Sequence, residues 1–181
     1  MVNRDNKSKE LNPEIADVDG VSVDARIAKN VKEFLAAAQE IDPSYHLISG
    51  YRSVAYQTEL YNSYVQQEMA ADPSLTESQA EKKVQTYSQP PGASEHQTGL
   101  AFDLIGTYGE LVKEEKAAQW LLDHAADYGF VVRYLKGKEK ETGYMAEEWH
   151  LRYVGKEAKE IAASGLSLEE YYGFEGGDYV D

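Results

Sequence analysis

The sequence predicts a single domain of the α+β class, in which helices flank a small, mostly antiparallel sheet. The chain has 181 residues, which fits one domain with a core of its own. Helical and strand-like segments alternate irregularly, and hairpin-like links join some strands, whereas a doubly wound sheet requires regular alternation. We expect a flexible N-terminal tail over residues 1–20, the folded domain over 21–174 and a C-terminal tail over 175–181.

Apolar spacing and capping residues predict the helices. A first helix follows Asp24 and has apolar residues at helical spacing, namely Ile27, Val31, Phe34, Leu35 and Ala38. A second helix over 54–71 is expected to bury a stripe made of Tyr56, Leu60, Tyr64 and Met69. Thr76 and Gln79 fit the capping box of a third helix. Further helices are expected over 114–128, near 156–163 and after Ser167.

Short apolar runs predict the strands, which have the sequences HLIS, LAFDLI, FVVRY and WHLRYV. The charged segment KGKEKETG between the last two is expected to be a loop. Alternation along the last strand puts Trp149, Leu151 and Tyr153 on the core face. The same alternation puts His150 and Arg152 on the opposite face, where they would line a cleft.

Composition excludes several classes of function. The net charge of −14, from 32 acidic and 18 basic residues, disfavours binding to nucleic acid or to an anionic membrane surface. The chain has no cysteine, so thiolate nucleophiles, thiolate metal sites and disulfides are absent. Any bound metal must therefore be held by His, Asp and Glu. No run approaches the ~18 consecutive apolar residues of a membrane span, and the polar start MVNRDNKSKELNPE does not have the pattern of a signal peptide.

Three residues could together form a metal site. Asp103 lies in the apolar run AFDLI, where an ionised carboxylate needs a compensating charge or metal. His96 follows a Pro-Gly loop and His150 begins a strand. Each residue alone is better explained as structure, as a salt-bridged aspartate or a hydrogen-bonded core histidine. Together they match the two-histidine, one-carboxylate set of a catalytic zinc site with an open fourth position.

A zinc hydrolase also needs a general base and a group that stabilises an oxyanion. Glu147 and Glu148 both precede the last histidine closely. Strict strand alternation favours Glu148, but spacing alone leaves the choice open. Arg52, in the turn SGYRS, is a candidate for the cation, with a surface arginine as the alternative. Glu95 is either a loop residue or a partner of a site residue.

Three segments in this order, SGYRS with a following YQ, SEHQTGLAFD and EEWHLRYVG, resemble the zinc D-Ala-D-Ala carboxypeptidases of the VanY and LdcB type. The resemblance covers roughly residues 20–172 and implies the fold shared by D,D-peptidases and hedgehog-like domains, with a zinc site at the sheet. It implies that Zn²⁺ is held by His96, Asp103 and His150. It also implies that Glu147 is the catalytic base, that Arg52 assists at the transition state, and that Ser94 and Gln57 hold the peptide. The chain departs from the common pattern at Glu148, often a proline, and at Leu135, where RYP is usual.

The resemblance further implies a substrate, which is the stem peptide of peptidoglycan. Similarity to LdcB-like enzymes favours removal of D-alanine from tetrapeptides, an L,D-cleavage. Removal from pentapeptides, a D,D-cleavage, stays open, as do an endopeptidase and a non-catalytic wall-binding module that retains zinc. We expect an extracellular or wall-associated monomer, exported through a signal or anchor that this sequence does not show.

Overall fold

The computed structural model describes residues 1–106 and 115–176. The predicted start of the fourth helix and most of the predicted C-terminal tail lie outside these ranges. The strands of the described part are β1 Ile15–Val18, β2 Val21–Asp24, β3 His46–Ser49, β4 Ala101–Ile105, β5 Phe130–Tyr134 and β6 Glu147–Tyr153. The α-helices are α1 Ala28–Ile41, α2 Val54–Ala71, α3 Glu77–Val84, α4 Glu115–His124, α5 Glu139–Thr142, α6 Ala158–Ser164 and α7 Leu168–Tyr172.

The main sheet has four strands in the order β3-β4-β6-β5, and every neighbouring pair is antiparallel. This architecture confirms the predicted α+β class with a small antiparallel sheet. Alternation along each strand gives the sheet two different faces. The core lies against one face, while Asp103, His150 and Arg152 point to the other. The functional cleft is therefore separated from the core by a single layer of backbone.

The core is formed between α1 and the sheet. All five apolar residues predicted on α1 are buried, together with Phe102 and Leu104 of β4, Phe130 of β5 and Leu151 of β6. The ring of Phe34 lies 6.0 Å from that of Phe102 and 5.7 Å from that of Phe130. Three aromatic rings thus fix the helix against the central strands.

Two predictions for the peripheral segments need correction. The fully buried residues of α2 are Gln57, Tyr61 and Val65. Tyr64 and Met69 of the predicted stripe are partly buried against them, but the side chain of Tyr56 is exposed. The apolar pattern missed this face because a buried glutamine, held by a backbone carbonyl, occupies its first position. The segment predicted as a charged loop contains α5, one short helix that ends at Gly143 with a positive φ of 68°. No helix in the described ranges is long and apolar enough to cross a membrane.

The N-terminal region differs from the predicted flexible tail. Strands β1 and β2 form an antiparallel hairpin that packs on α1 through Val18 and Val23. Ahead of the hairpin, Asn3 is buried and donates a hydrogen bond of 2.9 Å to Glu169. The N–H of Ser8 donates to the carbonyl of Gly92 at 2.8 Å. The polar composition of this segment suggested exposure to solvent. In the structure, however, its polar groups form hydrogen bonds with distant parts of the fold.

Candidate active site and metal centre

A cavity of about 390 Å³ opens on the polar face of the sheet. Its lining contains six of the predicted site residues, which are Arg52, Ser94, His96, Asp103, Glu147 and His150. Aromatic side chains form much of the remaining wall, namely Tyr64, Tyr87, Tyr134, Tyr144 and Trp149. The structure thus brings together residues from four separate segments, as a functional cleft requires.

The strand register places the candidate metal ligands. Asp103 on β4 and His150 on β6 are direct cross-strand partners. His96 lies in a 3-10 turn, residues 95–98, just before β4. Nε2 of His96 is 3.3 Å from Oδ2 of Asp103, and Nδ1 of His150 is 3.2 Å from Oδ1. The three ligand atoms lie within 4.8 Å of one another. No other such group of three His, Cys, Asp or Glu residues occurs among the described residues.

The ring of His96 is oriented by the backbone of the neighbouring turn. Its Nδ1 lies 2.8 Å from the carbonyl oxygen of Gly50, so Nδ1–H donates and Nε2 faces the other ligands. A Cβ at residue 50 would lie only 2.3 Å from the carbonyl oxygen of Ser22. Only glycine therefore allows the turn to approach closely enough to hold the histidine.

The donor set fits a divalent cation. Oδ1 of Asp103 is buried and has no well-aligned hydrogen bond in the described part of the chain. Burial disfavours ionisation of Asp103, but the adjacent charge of His96 and the contact with His150 hold its pKa below the usual range. Burial likewise opposes protonation of His150, but its carboxylate neighbours raise the pKa of His150 to about 9. Two imidazoles around an ionised carboxylate, with one side open to a cleft, are the donors of a catalytic zinc site.

An irregularity in the sheet positions Glu147. Val132 pairs with Leu151 but Tyr134 pairs with Glu147, so one residue of β5 between these pairs faces three of β6. Such a bulge changes the direction in which side chains point. It brings Oε2 of Glu147 to 3.5 Å from Nδ1 of His150. Glu148, which strict alternation favoured, is not among the lining residues of this cleft.

Glu147 has the electrostatics of a proton-transfer group. Burial raises its pKa to about 8, partly offset by the nearby His150. A cation held by the three ligands would lower this pKa towards neutrality or below. A carboxylate with such a tuned pKa next to a metal site can accept a proton and return it.

Arg52 lies in the turn between β3 and α2, at the rim of the cleft. Its backbone N–H donates to the carbonyl of His96 at 3.1 Å. Burial, followed by the charge of Arg52, lowers the pKa of His96. Its Nε is buried without a hydrogen-bond partner in the described part. One donor of this guanidinium is therefore not used by any described residue.

The two residues predicted to hold the peptide occupy different positions. Ser94 is buried at the start of the 3-10 turn and lines the cleft. Gln57 is buried behind the wall, where its Nε2 donates to the carbonyl of Gln89 at 2.7 Å. Gln57 is absent from the lining of this cleft, whereas Ser88 and Gln89, which it contacts, are present. Its position suits a support for the wall better than a direct contact with substrate.

Two further residues lie beside the ligands: Glu95, for which the sequence left open a loop residue or a partner of a site residue, and Tyr134, which sequence reasoning missed. Glu95 is buried beside His150, with Oε2 3.6 Å from Nε2 of the histidine. Its place next to His96 in the first motif was the available signal. The ring of Tyr134 lies 5.1 Å from the ring of His150. Nothing local in the strand FVVRY distinguished this tyrosine from a core residue.

The fold and the site together have the arrangement typical of metal-dependent hydrolases: a two-histidine, one-carboxylate group on an antiparallel sheet, with a glutamate beside one of its residues. The chain belongs to the VanY D-alanyl-D-alanine carboxypeptidase family, whose model matches residues 20–156. This membership confirms the resemblance seen in the three sequence segments.

Individual relatives carry more specific descriptions. The putative carboxypeptidase YodJ of Bacillus subtilis is 38% identical over 151 residues, covering 80% of this chain and 51% of the relative. The L,D-carboxypeptidase DacB of Streptococcus pneumoniae is 56% identical, with a TM-score of 0.82 over 99% of this chain and 89% of that one. A VanY D,D-pentapeptidase solved in complex with Zn(II) is 34% identical, with a TM-score of 0.80 over 95% and 97% of the two chains. The chain spans about half the length of the first curated relatives it matches.

Proposed function

We propose that this protein is a zinc carboxypeptidase that removes the C-terminal D-alanine from the stem peptides of peptidoglycan. The observation that carries the proposal is Glu147, lying 3.5 Å from one ligand of the His96–Asp103–His150 group inside an open cleft. A purely structural metal site is closed and has no need of such a glutamate. The 56% identity to an L,D-carboxypeptidase supports L,D-cleavage of tetrapeptides as the particular reaction.

His96, Asp103 and His150 would hold the zinc ion through Nε2, a carboxylate oxygen and Nδ1. When bound, zinc supplies Lewis-acid chemistry: it acidifies water and polarises a carbonyl group. The Zn(II) complex of the VanY relative supports zinc as the metal.

The remaining steps belong to side chains of this protein. Glu147 takes a proton from the attacking water as the water oxygen bonds to the carbonyl carbon of the terminal peptide bond. The guanidinium of Arg52 donates to the carbonyl oxygen as negative charge develops there. Glu147 then returns the proton to the alanine nitrogen as the C–N bond breaks. The hydroxyl of the water thus becomes part of the new carboxyl group, and its other hydrogen becomes part of the amino group of the released alanine.

The other cleft residues orient the peptide. Ser94 lies in the lining and supplies a hydroxyl for a polar group of the stem. Gln57 acts through Gln89 and Ser88, whose positions it fixes. The tyrosines of the wall provide apolar surface with polar edges, which suits a short peptide.

D,D-cleavage of pentapeptides is the second candidate reaction, favoured by the family description and by the VanY D,D-pentapeptidase relative. The two reactions differ in the bond that is cut, since L,D-cleavage breaks an L-to-D bond and D,D-cleavage a D-to-D bond. Both would use the same metal and the same base.

Incubation with purified muropeptides should separate the two reactions. We expect tetrapeptide stems to lose one alanine, seen by mass spectrometry, while pentapeptide stems are cut at least ~10-fold more slowly. Enzyme stripped with a chelator provides the blank, and readdition of Zn²⁺ should restore the product. Loss of alanine from pentapeptides alone would replace the L,D proposal with the D,D one.

The location of the protein follows from this substrate. Peptidoglycan stems lie outside the cell membrane, so we propose an extracellular or wall-associated enzyme. We also propose that it acts as a monomer and that residues 21–174 contain the catalytic unit. Residues 1–14 are packed against that unit and should be kept when it is produced.

A further inference from the structure

Behind the metal ligands lies a cluster of ionic groups made of Glu95, Arg133, Arg152 and Glu169, of which all but the partly exposed Arg152 are buried. Oε1 of Glu95 accepts from Nε of Arg133 at 2.9 Å and lies 2.8 Å from Nη1 of Arg152. Arg133 also donates to both carboxylate oxygens of Glu169, at 2.8 and 2.5 Å. Two carboxylates and two guanidinium groups leave the cluster with no formal net charge. Burying this many charges is costly unless each is paired, and here each is.

One oxygen of the cluster is not used within it. Oε2 of Glu95 is buried and has no hydrogen-bond partner in the described part of the chain. Nε2 of His150 is also buried and unbonded there, and the two atoms are 3.6 Å apart. Buried polar atoms are costly to leave unsatisfied. A shift of a few tenths of an ångström would join these two in a charge-assisted hydrogen bond.

The other histidine ligand is held in a different way. Nδ1 of His96 is fixed at 2.8 Å by the carbonyl of Gly50, a neutral backbone group. Nε2 of His150 faces the ionised carboxylate of Glu95 instead. In a metal-binding histidine, the ring nitrogen that does not bind the metal normally donates a hydrogen bond to a carboxylate or a carbonyl group. The group that accepts this hydrogen bond therefore determines which nitrogen binds the metal.

We propose that Glu95 is the positioning residue of His150, accepting Nε2–H and so directing Nδ1 to the metal. Glu169 of α7 binds Arg133, and Arg133 in turn binds Glu95, so these two residues act as a clamp that holds Glu95 in place. Through this clamp, α7 helps to position a metal ligand. Residues beyond 156 lie outside the family match, yet Glu169 is the far end of this clamp. The inference rests on the proposed zinc site and adds a role for a residue that does not touch the substrate.

Zinc affinity tests the proposal directly. Glu95→Gln in the full chain removes the charge with little change of shape, and we expect zinc to bind ~10–100-fold more weakly in competition with a chromogenic chelator. Glu170→Gln is the matched control, because this exposed carboxylate pairs with Lys138 and the cap of α7, away from the metal ligands. Its zinc affinity should equal that of the wild type. Equal affinities of Glu95→Gln and wild type would overturn the proposal.

The wild-type protein offers a second measurement that does not depend on the folding of a variant. In ¹⁵N-histidine NMR spectra of the zinc-loaded chain, we expect His150 to carry a protonated Nε2 and a metal-bound Nδ1, and His96 the reverse. A metal-bound Nε2 at His150 would exclude the role of Glu95. Failure of the wild type to bind zinc at all would instead contradict the proposed function, so the two ideas can fail separately.

Discussion

Replacing Glu147 with glutamine is expected to lower turnover by at least ~100-fold while zinc stays bound. General acid–base catalysis contributes about 10²–10⁴-fold, and glutamine cannot accept the proton. The three ligands are untouched by this change, since Glu147 lies beside His150 without being needed to complete the His–Asp–His set. The rate of alanine release and the zinc content of the purified variant, measured on the same sample, test both parts.

The neighbouring Glu148→Gln is the matched control for this prediction. The two variants lose the same charge, one residue apart, but only Glu147 lines the cleft. We expect Glu148→Gln to keep turnover within a few-fold of wild type. An unchanged rate in Glu147→Gln would remove its catalytic role and require another group to accept the proton. Loss of zinc from that variant would show instead that Glu147 helps to hold the ion.

Replacing Arg133 with methionine is expected to lower the free energy of unfolding by about 3–5 kcal/mol. The guanidinium of Arg133 is fully buried between Glu95 and Glu169. Without it, the buried carboxylates of Glu95 and Glu169 lose a positively charged partner. An uncompensated buried charge is strongly destabilising. Urea unfolding with saturating chelator measures the change without a contribution from zinc binding.

Lys138→Met provides the comparison for an exposed ion pair. Lys138 contacts Glu170 at 2.9 Å, but both side chains reach solvent. Such pairs contribute about 0–1 kcal/mol. A loss below 1 kcal/mol in Arg133→Met as well would mean that water or a rearranged Arg152 compensates the carboxylates. The clamp on Glu95 would then be weaker than its distances suggest.

Local patterns in the sequence predicted the parts of the fold that depend on neighbours in the chain. The buried face of α1 and the Thr76–Gln79 capping box are both present in the structure. Each depends on residues three or four positions apart, so spacing alone reveals them. The aspartate in an apolar strand drew attention to the His96–Asp103–His150 group, and the family resemblance made a metal site the leading interpretation.

Features that depend on distant partners could not be found in this way. The bulge in β6 that brings Glu147 to His150 reflects how β5 pairs with it, and spacing had left Glu147 and Glu148 undecided. Only the family resemblance selected Glu147. The packing of Asn3 depends on Glu169, 166 positions away. The face of α2 was misjudged because the partner of Gln57 lies 32 positions along the chain.

Because Asp103 and His150 are cross-strand partners, metal binding depends on the native register of β4 and β6. A slip of one residue between β4 and β6 would turn one of these ligands to the core side of the sheet. The donors would no longer converge, and the ion could not be held. Binding energy is therefore available only to chains with the native alignment of these two strands. An ion held for chemistry thus also selects the single strand alignment in which that chemistry is possible.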